Sequence, residues 1–159
     1  MWRNLILAGA LLAACAAANA QAATDPLTEM AVSEFRDAAD QANSAQNGAT
    51  LAQQAAYLMQ VKNGLSLYRD GALTAQDTEL LQRLIDRQQQ AVKQAQTSGG
   101  LSKQDRQLAE LMQKSAALAK EILALDRNGK AFQQRMESYH SGIGYDAYRY
   151  AQDQGIEQL

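Results

Sequence analysis

The chain has 159 residues, 20% of them charged, a formal net charge of −2, one histidine and one cysteine. That length suits a single domain with one core, and the balanced charge leaves neither a basic block for nucleic acid nor an acidic tail for a basic partner. A lone cysteine forms no disulfide within the chain, and a lone histidine with no acidic cluster at ligand spacing makes a poor metal site.

The first 22 residues read as a secretory signal peptide. Arg3 supplies a positive start, the run from Leu5 to Ala18 is uncharged, and Ala18-Asn19-Ala20-Gln21-Ala22 places small residues where a signal peptidase needs them. The run is short and alanine-rich for a membrane-spanning helix. Cys15 leaves a second processing pattern open. Leu12-Ala13-Ala14-Cys15 fits a lipoprotein signal, in which residues 1–14 are removed and the cysteine becomes the acylated first residue. Acyl chains would then hold the domain at a membrane its own surface gives no reason to bind. Either route predicts a periplasmic protein, lipid-anchored in the outer membrane if Cys15 is acylated.

A helical bundle domain is expected over residues 25–140. Pro26 is the only proline, so glycines do the punctuation. The first helix is expected from Pro26 to Gln46, with Asp25 as its cap. Its apolar stripe is Leu27, Met30, Ala31, Phe35, Ala38, Ala42 and Ala45. The second runs from Thr50 to Arg69, with Leu51, Leu58 and Leu65 at seven-residue spacing and Val61 and Tyr68 in the companion position, a coiled-coil seam. Gly64 inside it suits a close helix crossing, and Asp70-Gly71 ends it.

The third helix has the sharpest start, because Thr74 and Asp77 stand at capping-box spacing. Its stripe is Leu80, Leu81, Leu84, Ile85, Ala91, Val92 and Ala95, interrupted by Gln88-Gln89-Gln90. The fourth starts at Ser102, with Asp105 three residues on. Its register from Leu108 continues through Phe132, Met136 and Tyr139, which predicts one helix of nearly 40 residues, bent at Asn128-Gly129. Glu79–Arg83, Glu110–Lys114 and Asp126–Lys130 read as solvated helix-face pairs. The fold expected is all-α: an antiparallel bundle of about four helices, with a very long last helix and a short aromatic C-terminal segment.

That segment, residues 141–159, differs in kind. Gly142-Ile143-Gly144 should break the helix, and a short helix from Tyr145 to Gln154 should follow. Tyr145, Tyr148 and Tyr150 crowd into six positions of a chain with six tyrosines in all. Together with Tyr139 they form the candidate partner-binding set, since tyrosine brings contact area at low entropy cost and tolerates water until a partner arrives. The competing reading folds these rings back over the open end of the bundle. His140, just before the expected helix end, suits a protonated ring at a helix C-terminus. No phosphate loop, nucleophile elbow or HExxH motif is present, so no catalytic residue, metal or cofactor is expected.

The Ala/Gln-rich stretch "ATLAQQAAYLMQVKNGLSLY" and the ending "KAFQQRMESYHSGIGYDAYRYA" resemble the periplasmic minor pilus subunits of conjugative type IV secretion systems, the TrbJ-like family. The resemblance implies a helical bundle that works by contact with pilus or channel partners. The function expected is therefore that of an exported, non-enzymatic interaction protein of the bacterial envelope, with envelope or secretion-system proteins or a second copy of itself as partner. A small structural lipoprotein tethered through Cys15, or a periplasmic helical chaperone or adaptor, are the alternatives.

Overall fold

The computed structural model describes residues 25–44, 51, 55 and 57–153. The signal segment with Cys15, most of the expected start of the second helix, and the chain after residue 153 lie outside the described residues. Six α-helices and one π-helical turn occur among these residues, and no strand. They are α1 (Pro26–Ser44), α2 (Leu58–Arg69), α3 (Ala75–Ser98), α4 (Lys103–Leu123), α5 (Lys130–Ser138), the π turn (Tyr139–Ile143) and α6 (Gly144–Asp153). No helix among them is long and apolar enough to cross a membrane. The chain is a helical bundle in which α3 packs on both α1 and α4, and α2 lies against α1, α3 and α4.

The expected helix starts are built as the spacing requires. Thr74 Oγ1 accepts from the Asp77 backbone N–H at 3.2 Å, and the Asp77 carboxylate accepts from the Thr74 N–H at 3.0 Å. Ser102 Oγ accepts from the Asp105 N–H at 3.0 Å. The first is a full capping box and the second a single side-chain cap, and each satisfies donors that a helix N-terminus otherwise leaves unpaired. Asp70-Gly71 ends α2, with Gly71 at φ +74° and the Ala72 N–H returning to Leu67 O at 2.9 Å.

The core is one cluster in which Phe35, Leu65, Leu81, Ile85, Met112, Ile122, Phe132 and Tyr139 are almost fully enclosed. Gly64 makes its crossing possible. A Cβ there would lie 2.7 Å from Phe35 Cε2 and 2.8 Å from Leu81 Cδ1, so α1 and α3 close on α2 only because that side chain is missing. On α1 the apolar face differs from the expected stripe. Val32, Phe35, Ala39 and Ala42 are buried, whereas Leu27 and Met30 stand 69% and 55% exposed. Phe35 locks into the Gly64 notch, and Arg36 reaches Asp77 across the α1–α3 junction. Together they set the rotation of α1 and leave its first turn beyond the edge of the core.

The very long last helix is the principal correction. The chain leaves α4 at Leu123 and re-enters helix only at Lys130. Between them the Asp126 carboxylate accepts from the Asn128 N–H at 3.0 Å, and the Gly129 N–H returns to Asp126 O at 2.9 Å. Gly129 is extended, with φ −80° and ψ 151°. The expected bend is thus a reversal. In a continuous helix Ser115 and Tyr139 would stand about 36 Å apart at 1.5 Å per residue. Instead their hydroxyls are hydrogen-bonded at 2.8 Å, and Arg135 pairs with Glu121 at 2.7 Å. Doubling back puts Phe132, Met136 and Tyr139 into the core, a burial no straight rod could provide. The Asp126–Lys130 pair consequently spans a turn and shares no helix face.

Candidate interaction surface

The C-terminal arm is built from α5, the π turn and α6. Gly142-Ile143-Gly144 does not break the helix as expected. The Gly144 N–H donates to Tyr139 O, five residues back, so one wide turn carries α5 into α6. Such turns are uncommon and frequently sit at functional positions. Gly144 is buried against α2, where a Cβ would stand 3.5 Å from Lys62 Cε. The inner face of the arm is Tyr139, Ile143 and Ala147, all buried.

The four tyrosines divide between the two readings of the sequence. Tyr139 is 1% exposed, and its hydroxyl is satisfied by Ser115. Burial holds that phenol neutral, pushed up to about 12, against a smaller opposing effect of the Ser115 hydrogen bond. It is a core residue and offers no surface to a partner. Tyr150 packs half-buried against the core, and burial, then the Asp105 carboxylate, raises its pKa. Tyr145 and Tyr148 remain 56% exposed on the outer face of α6. Arg149 lies 6.0 Å from the Tyr145 ring centroid, and Gln152 Nε2 donates to Tyr148 Oη at 2.6 Å. These side chains form one stripe at helical spacing, 145, 148, 149 and 152.

Beside this stripe a cleft of about 300 Å³ separates α6 from α4. Glu110, Leu111 and Lys114 line one wall, and Asp146, Arg149 and Tyr150 the other. Its charges are mixed, so it selects no single ligand charge. Among the described residues no group of three His, Cys, Asp or Glu side chains could hold a metal ion.

His140 lies in the π turn and faces α2. Its Nε2 is 3.4 Å from Ser66 Oγ, which itself donates to Lys62 O at 3.2 Å. The Tyr139 ring meets the imidazole edge-on at 6.1 Å. The expected protonated ring at a helix C-terminus is overturned, because the helix does not end there but continues through the π turn into α6. Burial, helped by Lys62 and Arg69 and opposed by Asp70, lowers the histidine pKa.

Sequence reasoning missed two polar elements of the interior. Asp77 serves both its own helix cap and a bidentate pair to Arg36, Nε–Oδ1 2.6 Å and Nη2–Oδ2 2.9 Å. The Arg36 hydrogen bond, more than the Thr74 ones, outweighs burial and brings its carboxyl down to about 2. Gln88, taken as a polar interruption, is 1% exposed, and neither amide atom has a hydrogen-bond partner. Its position continues the 81, 85, 92 series, a signal visible had the helical period been given more weight than polarity. Comparison of the chain with protein-family models, with curated proteins and with solved structures finds no match.

Proposed function

We propose that the chain is a non-enzymatic interaction protein of a bacterial cell envelope, exported through residues 1–22, that binds a protein partner through the outer face of α6. The observation that carries this reading is the pair Tyr145 and Tyr148. Both are more than half exposed on a helix that is anchored by Tyr139, Ile143 and Ala147, so two large rings are held ready without closing the core. Preorganised aromatic side chains are the residues that most often dominate protein interfaces. A component of a type IV secretion or conjugation assembly fits this reading, on the resemblance of the Ala/Gln-rich helices and aromatic ending to TrbJ-like subunits. The architecture we propose at finer level is an antiparallel packing of α1, α2, α3 and α4, with α5 and α6 folded back over one end.

Replacing Tyr145 and Tyr148 together with alanine tests the surface. Capture of partners from the native envelope by the full chain should fall about tenfold or more, as expected for two interface anchors. The melting temperature should stay within about 2 °C, because both rings are largely in water already. Unchanged capture would refute the surface, and a large drop in melting temperature with proportionate loss of binding would return the rings to a packing role. Cys15 supports the tethered alternative, and mass spectrometry of the mature N-terminus separates an acylated Cys15 from a free Gln21 or Ala23.

A further inference from the structure

We propose that the partner seated on the α6 stripe is a second copy of this chain, joined head to tail, with Tyr145 and Tyr148 of one copy on Leu27, Met30 and the α1–α2 groove of the next. This rests on the reading of α6 as an interface and names what it binds.

Four large apolar side chains stand exposed among the described residues: Leu27, Met30, Tyr145 and Tyr148. They form two patches, one aliphatic and one aromatic. Leu27 and Met30 belong to the start of α1, beyond the point where Arg36 ties it to the start of α3. Tyr145 and Tyr148 lie on α6, which begins against Lys62 and carries Tyr150 towards Asp105 in the first turn of α4. Neither patch is covered within its own molecule.

The α1 patch leads into a groove. Between α1 and α2 lies a cavity of about 240 Å³, with Ala31 and Glu34 on one wall and Gln60, Asn63 and Leu67 on the other. Leu27 stands four residues before Ala31, and Met30 four before Glu34, so both continue the α1 wall by one helical turn. Leu27, Met30 and Leu67 offer apolar surface to an incoming ring, and the Gln60 and Asn63 amides offer hydrogen bonds to its hydroxyl. A pocket of this kind is where a tyrosine anchor contributes most.

Charge chooses the pairing. The exposed acids of α1 are Glu29, Glu34, Asp37 and Asp40, and its one base, Arg36, is engaged by Asp77. Two α1 patches brought together would set these acids against each other. The α6 stripe carries Arg149, 6.0 Å from the Tyr145 ring centroid, while Asp146 and Asp153 line the cleft against α4. The stripe on α1 therefore sets a cation against acids, whereas stripe on stripe would set Arg149 against itself. Because the two surfaces differ, the contact is heterologous. A copy that offers α6 keeps its own α1 patch free, so association continues past the dimer into a ring or an open chain. Two large side chains on each surface make a small interface, so the affinity belongs between about 1 µM and about 1 mM.

Sedimentation equilibrium of the full chain at concentrations up to about 1 mM should show species larger than a dimer. Tyr145→Ala with Tyr148→Ala, and separately Leu27→Gln with Met30→Gln, should each weaken association about tenfold or more. Both variants should melt within about 2 °C of wild type, since all four side chains are more than half exposed. Mixed in equal amounts, the two variants should associate again but stop at a 1:1 dimer, because only one intact pair of surfaces remains. A wild-type chain that stays monomeric overturns the head-to-tail contact; loss of envelope capture by the tyrosine variant would then leave α6 as the interface for a different protein. Association that survives either pair of substitutions also overturns it, as does association lost in both variants and not recovered on mixing.

Discussion

Single polar side chains in this interior behave oppositely according to whether their hydrogen bonds are met. Asp77 satisfies its helix start and Arg36 at once; Gln88, about three turns later on the same helix, satisfies nothing among the described residues. A buried amide without partners forfeits its hydration and recovers little. Gln88→Leu, similar in size, should therefore stabilise the fold by about 1–3 kcal/mol, measured by urea denaturation with an unchanged slope. Leu80, Leu81, Leu84 and Ile85 were legible as core from their spacing alone, and Gln88 was not, because composition argued against its position. The tyrosines show the same division. Tyr139 continues the apolar register of Phe132 and Met136, which Tyr145 and Tyr148 do not, and the Ser115 hydroxyl on another helix completes its interior setting.

Among the helices, boundaries set by capping chemistry were readable and boundaries set by packing were not. Thr74–Asp77 and Ser102–Asp105 act within four residues, so their spacing carries the information. The face of α1 could not be read in the same way. Alanine-rich helices offer several near-equivalent stripes, and the choice among them is made by Phe35 entering the notch at Gly64. That notch provides a test. Alanine at position 64 improves helix propensity by about 1 kcal/mol, yet its methyl would overlap Phe35 and Leu81, and overpacking of this kind costs about 1–3 kcal/mol. Gly64→Ala should therefore lower stability in thermal melts, and Gly64→Ala combined with Phe35→Leu should recover part of the loss. A Gly64→Ala protein more stable than wild type would show that the crossing has slack.

The assembled molecule depends on a few long-range ties in place of disulfides. Arg36–Asp77 fastens α1 to α3, Lys120–Asp86 at 2.6 Å fastens α4 to α3, and Arg135–Glu121 fastens α5 back on α4. Only the first has a buried partner, so of these three ties it is the one expected to mark the pH dependence of global stability. The folded Asp77 carboxyl titrates at about 2 against a usual 3.8. Its contribution is complete above about pH 5 and is lost as the pH falls through 4 towards 2. Because Arg36 is half in water, a contribution of about 1–2 kcal/mol is expected. Asp77→Asn should remove that acid limb from a plot of unfolding free energy against pH.

Composition and helical period are properties of neighbouring residues, and they sufficed for the all-helical character, the capped starts of α3 and α4, the stop at Asp70-Gly71 and the short helix that carries Tyr145 and Tyr148. The continuation of the Leu108 register into Phe132, Met136 and Tyr139 is equally real, but a seven-residue repeat does not say whether its two halves lie in line or side by side. Burial decided that, because Asp126-Arg127-Asn128-Gly129 can reverse the chain at small local cost, while three large side chains gain a dry interior only if it does. The π turn and the setting of His140 follow from the same reversal, since the returning arm brings Tyr139 to Ser115 on α4 and His140 to Ser66 on α2.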